Sequence, residues 1–145
     1  MNKLETDLHK LDFIDLLSER HIQLRRIIEN VWNDNSDIYL SNSEWFIMAR
    51  IYKKQPTISY VSKSVDISRQ ATHKFIKSLE SKGLVTISSM ENNKKDKCIQ
   101  LTKLGEECYE KNLSIKADLV KKITDQIGKE KFEVLNDLLK FDWGL

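Results

Sequence analysis

Proline occurs once in this chain, at Pro56, and glycine only four times in 145 residues. So little punctuation excludes a turn-rich all-β protein and predicts long uninterrupted helices. No run of about 18 apolar residues is present that could span a bilayer. The opening MNKLETDLHK lacks the apolar stretch of a signal peptide. A cytoplasmic protein with no membrane partner is the expectation. Cys98 and Cys108 are too few for a disulfide framework and are not spaced for zinc. They read as small buried hydrophobes, although Cys98 beside Lys97 keeps open a basic-flanked, redox-active thiol. His9, His21 and His73 are scattered, so no metal site is expected. There is no glycine-rich phosphate loop and no nucleophile elbow, so neither enzyme nor cofactor is expected.

What is present is charge, unevenly placed. Charged residues make up 32% of the chain and hydrophobic ones 40%, enough apolar side chains for one domain over residues 1–145. The net charge is only +2, but its distribution is informative. Met1 to Tyr52 holds 6 basic and 9 acidic residues, Lys53 to Lys103 holds 11 and 4, and Leu104 to Leu145 holds 7 and 9. A basic middle third between acidic flanks is the footprint of a module that meets phosphates while its flanks do something else.

Residues Ile14, Leu17, Leu24, Ile28 and Val31 recur at steps of three and four, with His21 in the same stripe, and predict a first helix. Leu16, Ile22, Ile27 and Trp32 widen the stripe beyond what a lone surface helix needs, which implies a second packing partner. NDNSD at 33–37 breaks the pattern. Ser41 or Ser43 then caps a second helix, with Glu44 placed for a capping box with Ser41. That helix carries Trp45, Met48, Ile51 and Tyr52 and stops before Pro56. Thr57 caps a short helix with Ile58, Val61 and Val65 inward.

The stretch VDISRQATHKFIKSLESKGLV sets the class. Ser68 is an N-cap, Gly83 a helix stop, and Ile67, Ala71, Phe75, Ile76 and Leu79 form the core face. A short helix, a tight turn and this helix make a helix-turn-helix. Ser68, Arg69, Gln70, Thr72, His73, Lys74 and Lys77 are expected to meet duplex DNA. Arginine suits guanine, glutamine suits adenine, hydroxyls suit either and lysine suits phosphate, and no acid precedes Glu80 on this face. Residues 84–88 and 97–101 alternate as strands, joined by a polar tongue with Lys94, Lys95 and Lys97. A hairpin with a basic tip after a helix-turn-helix is a wing, whose lysines are expected to touch DNA phosphates.

Thr102 is placed to cap a long last helix that Gly128 interrupts. Beyond it, Leu135, Leu138, Leu139, Phe141 and Trp143 are too apolar to be left in water. Together with Ile14, Leu17 and Leu24 they are expected to build a homodimer. The predicted fold is therefore mainly α with a small β-hairpin wing. Its DNA-binding lobe would span about residues 38–103, and its dimerisation helices about 8–34 and 104–145.

Five segments in this order, LSNSEW (40–45), TISYV (57–61), ISRQAT (67–72), LESKGLV (79–85) and LTKLG (101–105), resemble the MarR family of bacterial transcriptional regulators. The resemblance implies obligate dimers, palindromic operators, and repression often relieved by a small molecule or oxidant. It also implies an effector pocket between the dimer helices and the DNA lobe. There it points to His21, Trp45, Met48 and Tyr52, whose plainer reading is core packing. The family's Asp-x-Arg wing pair is replaced by Asn93 and Lys95, which predicts a loosely held wing. The peroxide-sensing cysteine of the first helix is missing. The expected function is a homodimeric repressor on a palindromic operator, open to a small effector. The alternative is a winged-helix protein-interaction or anti-regulator module that does not read DNA sequence.

Overall fold

The computed structural model describes residues 8–90 and 93–145, with backbone only for residue 90 and residues 93–95. The elements run α1 (Phe13–Asp34), α2 (Asn42–Ile51), α3 (Ile58–Ser64), α4 (Arg69–Ser81), β1 (Val85–Met90), β2 (Asn93–Leu101), α5 (Lys103–Ile127) and α6 (Lys129–Lys140).

Side-chain caps begin most of these helices. Asp12, Ser41, Thr57, Ser68 and Thr102 each accept the backbone N–H three residues on, satisfying a donor that the first turn leaves free. At Ser41 the capping box is complete, because the Glu44 side chain accepts the Ser41 N–H in return. Helix α2 ends at Ile51, before Pro56 can act, and Lys53 takes a left-handed φ of 56° at the turn. Helix α4 ends in a Schellman motif: Gly83 at φ 75° donates to Glu80, and Leu84 donates to Leu79.

The core lies where α2, α3, α4 and the hairpin meet. Leu40, Ile47, Met48, Ile51, Val61, Ile76, Leu79, Leu84 and Ile99 are fully buried there. Trp32 at the end of α1 meets Trp45 of α2 edge-to-face at 4.9 Å and donates its indole N–H to the Ile38 carbonyl. The loop between those helices is held by Asn33, which donates to the Leu40 carbonyl and accepts its N–H. The first turn of α5 sits directly on the root of the wing. There a Cβ on Gly105 would collide with the Leu84 carbonyl oxygen, so only glycine fits.

The antiparallel hairpin pairs Val85 with Leu101 through Ser89 with Lys97. The register then shifts, and Met90 faces Asn93. The strands thus run further into the lysine-rich tongue than its lack of a turn dipeptide predicts. Strand β2 is also held on its other side, where Thr57 bridges Cys98 and Ile99 donates to the Pro56 carbonyl. Cys98 and Cys108 are both free and buried, as expected of small hydrophobes, and burial raises the Cys108 thiol pKa above its ordinary value. No helix among the described residues is long and apolar enough to cross a membrane.

Candidate nucleic-acid interface

Four residues, Val65 to Ser68, separate α3 from α4. Val65 and the half-buried Ile67 pack inward, so the turn is closed by apolar contact as well as by the Ser68 cap. Arg69, Gln70, His73, Lys74 and Lys77 all lie exposed on one side of α4. The first turn of α4 contains no acid, so its free N–H groups and dipole add positive potential to that of the side chains.

The structure gathers part of the expected set. Arg69, His73 and Lys77 of α4 and Lys97 of β2 line one cleft of about 540 Å³ between α3, α4 and the wing. Gln70 and Lys74 are exposed beside it. Ser68 is exposed too, with its hydroxyl accepting the Ala71 N–H as the cap. Thr72 is a correction. It is wholly buried, and its hydroxyl donates to the Ser68 carbonyl at 2.9 Å, so it faces the core and not DNA. The side chains of Lys94 and Lys95 lie outside the described residues, as does that of Asn93.

Three residues of the cleft escaped the sequence reading. Ser59 donates to Asp96 at 3.0 Å, joining α3 to the wing, and Glu80 adds an acid to the cleft's lining. The expectation of a loose wing therefore fails at its base, which Pro56, Thr57 and Ser59 all hold. Asp96 is an acid three residues after Asn93, an offset that a search for the usual pair passes over.

The four expected pocket residues do not line one cavity. Trp45 and Met48 lie on the buried side of α2, in the core. Tyr52 packs against Tyr109 with ring centroids 4.5 Å apart and tilted by 42°, and donates to Glu110 at 3.0 Å. Only His21 lines the groove between α1 and α2, about 260 Å³, together with Arg25, Arg26, Glu29 and Phe46. The guanidinium of Arg25 lies over the Phe46 ring at 4.5 Å. Burial, and then the Arg25 charge, pulls the Lys116 pKa below the usual lysine range. Among the described residues, neither of these two half-buried cations makes an ion pair.

No family model matches the chain, and no curated protein matches it. Solved structures do. Apo MarR from Escherichia coli is 19% identical, with a TM-score of 0.76, over 90% of this chain and 96% of that one. FabT from Streptococcus pneumoniae, in complex with DNA, is 23% identical at a TM-score of 0.74, over 87% and 89%. NadR in complex with 4-hydroxyphenylacetate is 24% identical at 0.65, over 88% and 89%. The chain thus has the winged helix-turn-helix fold of the MarR-family regulators, wing and terminal helices included.

Proposed function

We propose that this chain is a MarR-type transcriptional regulator that binds a palindromic operator as a homodimer and represses from it. The carrying observation is the exposed face of α4, where Arg69, Gln70, His73, Lys74 and Lys77 stand together ahead of the first acid, Glu80, beside the Lys97 edge of the wing. In this reading residues 38–103 form the DNA-binding lobe, α4 enters the major groove, and the wing lysines meet the flanking backbone. FabT was solved on DNA with this fold, which supports the assignment.

Dimerisation is supported by what a single chain leaves uncovered. Helix α6 has no buried residue, and Leu135, Leu138, Leu139, Phe141 and Trp143 are all exposed. Ile14 on α1 is 67% exposed, and neighbouring Phe13 meets Trp143 at 5.9 Å, which makes the two termini one apolar surface. A patch of this extent marks a protein interface. Leu17 and Leu24, half-buried on α1, extend the same stripe.

Effector control enters through the groove beside α1. Arg25 and Lys116 are two half-buried cations flanked by the rings of Phe46 and Tyr109, and neither pairs with Glu29, the acid on the groove's lining. A small organic anion suits such a site better than water does.

Selection from a pool of random duplexes tests the proposal. Enrichment of a palindrome with half-sites about one helical turn apart is the expected result. Retention of duplexes with no common sequence rejects it in favour of a protein-interaction module.

A further inference from the structure

Glu44 is the one buried carboxylate among the described residues, 3% exposed in the first turn of α2. Its Oε1 accepts the Ser41 backbone N–H at 3.1 Å, which with the Glu44 N–H donated to the Ser41 hydroxyl at 3.3 Å makes the capping box, and it also accepts the Ser41 hydroxyl at 3.0 Å. A capping box is served as well by glutamine as by glutamate. The second oxygen is therefore what requires a carboxylate. Oε2 accepts the Ser78 hydroxyl at 3.2 Å and the Lys82 ammonium at 2.7 Å, both from the C-terminal end of α4. Lys82 in turn donates to the Tyr39 carbonyl at 2.7 Å, so the loop before α2 is drawn into the same cluster.

A buried ion pair is weak evidence for stability, since desolvation offsets much of its attraction; its best-attested use is to fix register. Here the register at stake is that of α4. The apolar contacts of Ile76 and Leu79 are non-directional and leave the helix free to tilt or slide. Donors converging on one carboxylate are directional. The 13 residues of α4 make a lever anchored at Ser78 and Lys82, with Arg69 and Gln70 at its far end. At 1.5 Å rise per residue, a tilt of about 5° moves that end by roughly 1.5 Å, enough to break a hydrogen bond to a base edge.

We propose that Glu44 is a positioning residue for sequence reading. Through Ser78 and Lys82 it sets the angle at which α4 presents Arg69, Gln70 and His73. This rests on the assignment of α4 as the DNA-contacting helix.

The test uses Glu44→Gln, Lys82→Met, their combination, and Lys82→Arg, at a temperature well below unfolding. The probes are the duplex that the unaltered chain enriches from a random pool and copies of it with one base pair changed. Glu44→Gln is expected to weaken binding to the enriched duplex at least tenfold and to shrink its advantage over the altered copies. The slope of log affinity against log salt should not move, because no phosphate contact is lost. Amide hydrogen exchange should quicken across residues 69–81 while α5 keeps its protection. The combined variant should lose no more than Lys82→Met alone, since the two side chains act as one unit. Lys82→Arg, which keeps the cation, should behave as the unaltered chain.

A lower unfolding temperature with unchanged discrimination, and faster exchange only in the first turn of α2, would reduce Glu44 to a helix cap and overturn the proposal. Losses that add in the combined variant also overturn it. If the unaltered chain enriches no duplex, the regulator assignment fails. Exchange in α4 and the combined variant's stability then decide by themselves whether Glu44 positions that helix.

Discussion

Ser59 in the first turn of α3 donates its hydroxyl to the Asp96 carboxylate on β2 at 3.0 Å, tying the helix-turn-helix to its wing. The bond is partly buried and its acceptor is charged, so Ser59→Ala should lower stability by about 1–2 kcal/mol. For a chain of this size that is roughly 3–8 °C in the unfolding midpoint. Thermal denaturation followed by circular dichroism reads it, and an unchanged midpoint would show that the Ser59 bond adds nothing to the hold on β2.

Arg69 and Thr72 stand three residues apart and should behave oppositely. Arg69→Ala removes an exposed fork from the interface, so it is expected to cost about 1–3 kcal/mol of binding and relax preference at one base position. Thr72→Val keeps the shape of a buried side chain and deletes only its bond to the Ser68 carbonyl. It should leave base preference as it was and change stability by about 1 kcal/mol in either direction. Repeating the duplex selection with each variant separates the two roles.

That pair also shows where sequence reasoning reaches and where it stops. Caps at Ser41, Thr57, Ser68 and Thr102 were legible because a cap is local: a side-chain oxygen and an N–H three residues on. The glycine stop at Gly83 was legible for the same reason. Thr72 was misread because a hydroxyl that satisfies itself on its own helix can occupy a core position, sharing the inner face with Ile76 and Leu79. Asp96 and Ser59, or Glu44 and Lys82, are distant in sequence, and no periodicity connects them. Trp45 and Met48 read either as core or, by resemblance, as pocket residues, and helix packing puts them in the core.

Lys77 and Lys97 line the same cleft from α4 and β2, and if the proposed DNA-binding role holds, each neutralises one phosphate. Replacing either with alanine should reduce the magnitude of the log affinity versus log salt slope by roughly one, and by about two together. The loss should be the same on every sequence. Fluorescence anisotropy between low and moderate salt measures it. A slope that stays put for Lys97→Ala would remove the wing edge from the interface.

Leu138 lies in the last turn of α6, 55% exposed in the single chain. Burying its remaining exposed surface against a second copy contributes about 1–1.5 kcal/mol for each copy, while a carboxylate there would be desolvated without a partner. Leu138→Glu is therefore expected to convert the protein to a monomer at micromolar concentration with its fold intact. Sedimentation velocity reads the mass, and circular dichroism reads the helix content. A Leu138→Glu chain that still sediments as a dimer would move the interface off α6.

Lys116 carries a cost in the folded state, because burial and the nearby Arg25 charge both disfavour its ammonium. Its folded pKa lies below its unfolded one, so below the folded pKa both states are protonated and the destabilisation is complete. As pH rises from the folded pKa towards the unfolded value, the folded chain sheds the proton first and the destabilisation is relieved. Lys116→Met keeps the aliphatic stem and removes the charge. It should raise the unfolding midpoint at neutral pH, and this gain should shrink as the pH climbs past the folded pKa. The same variant should weaken binding of a small aromatic carboxylate such as 4-hydroxybenzoate, followed by calorimetry. A loss of stability on removing the charge would mean that Lys116 has an acid partner when the protein is assembled, and the groove would then be a seam between copies and not an effector site.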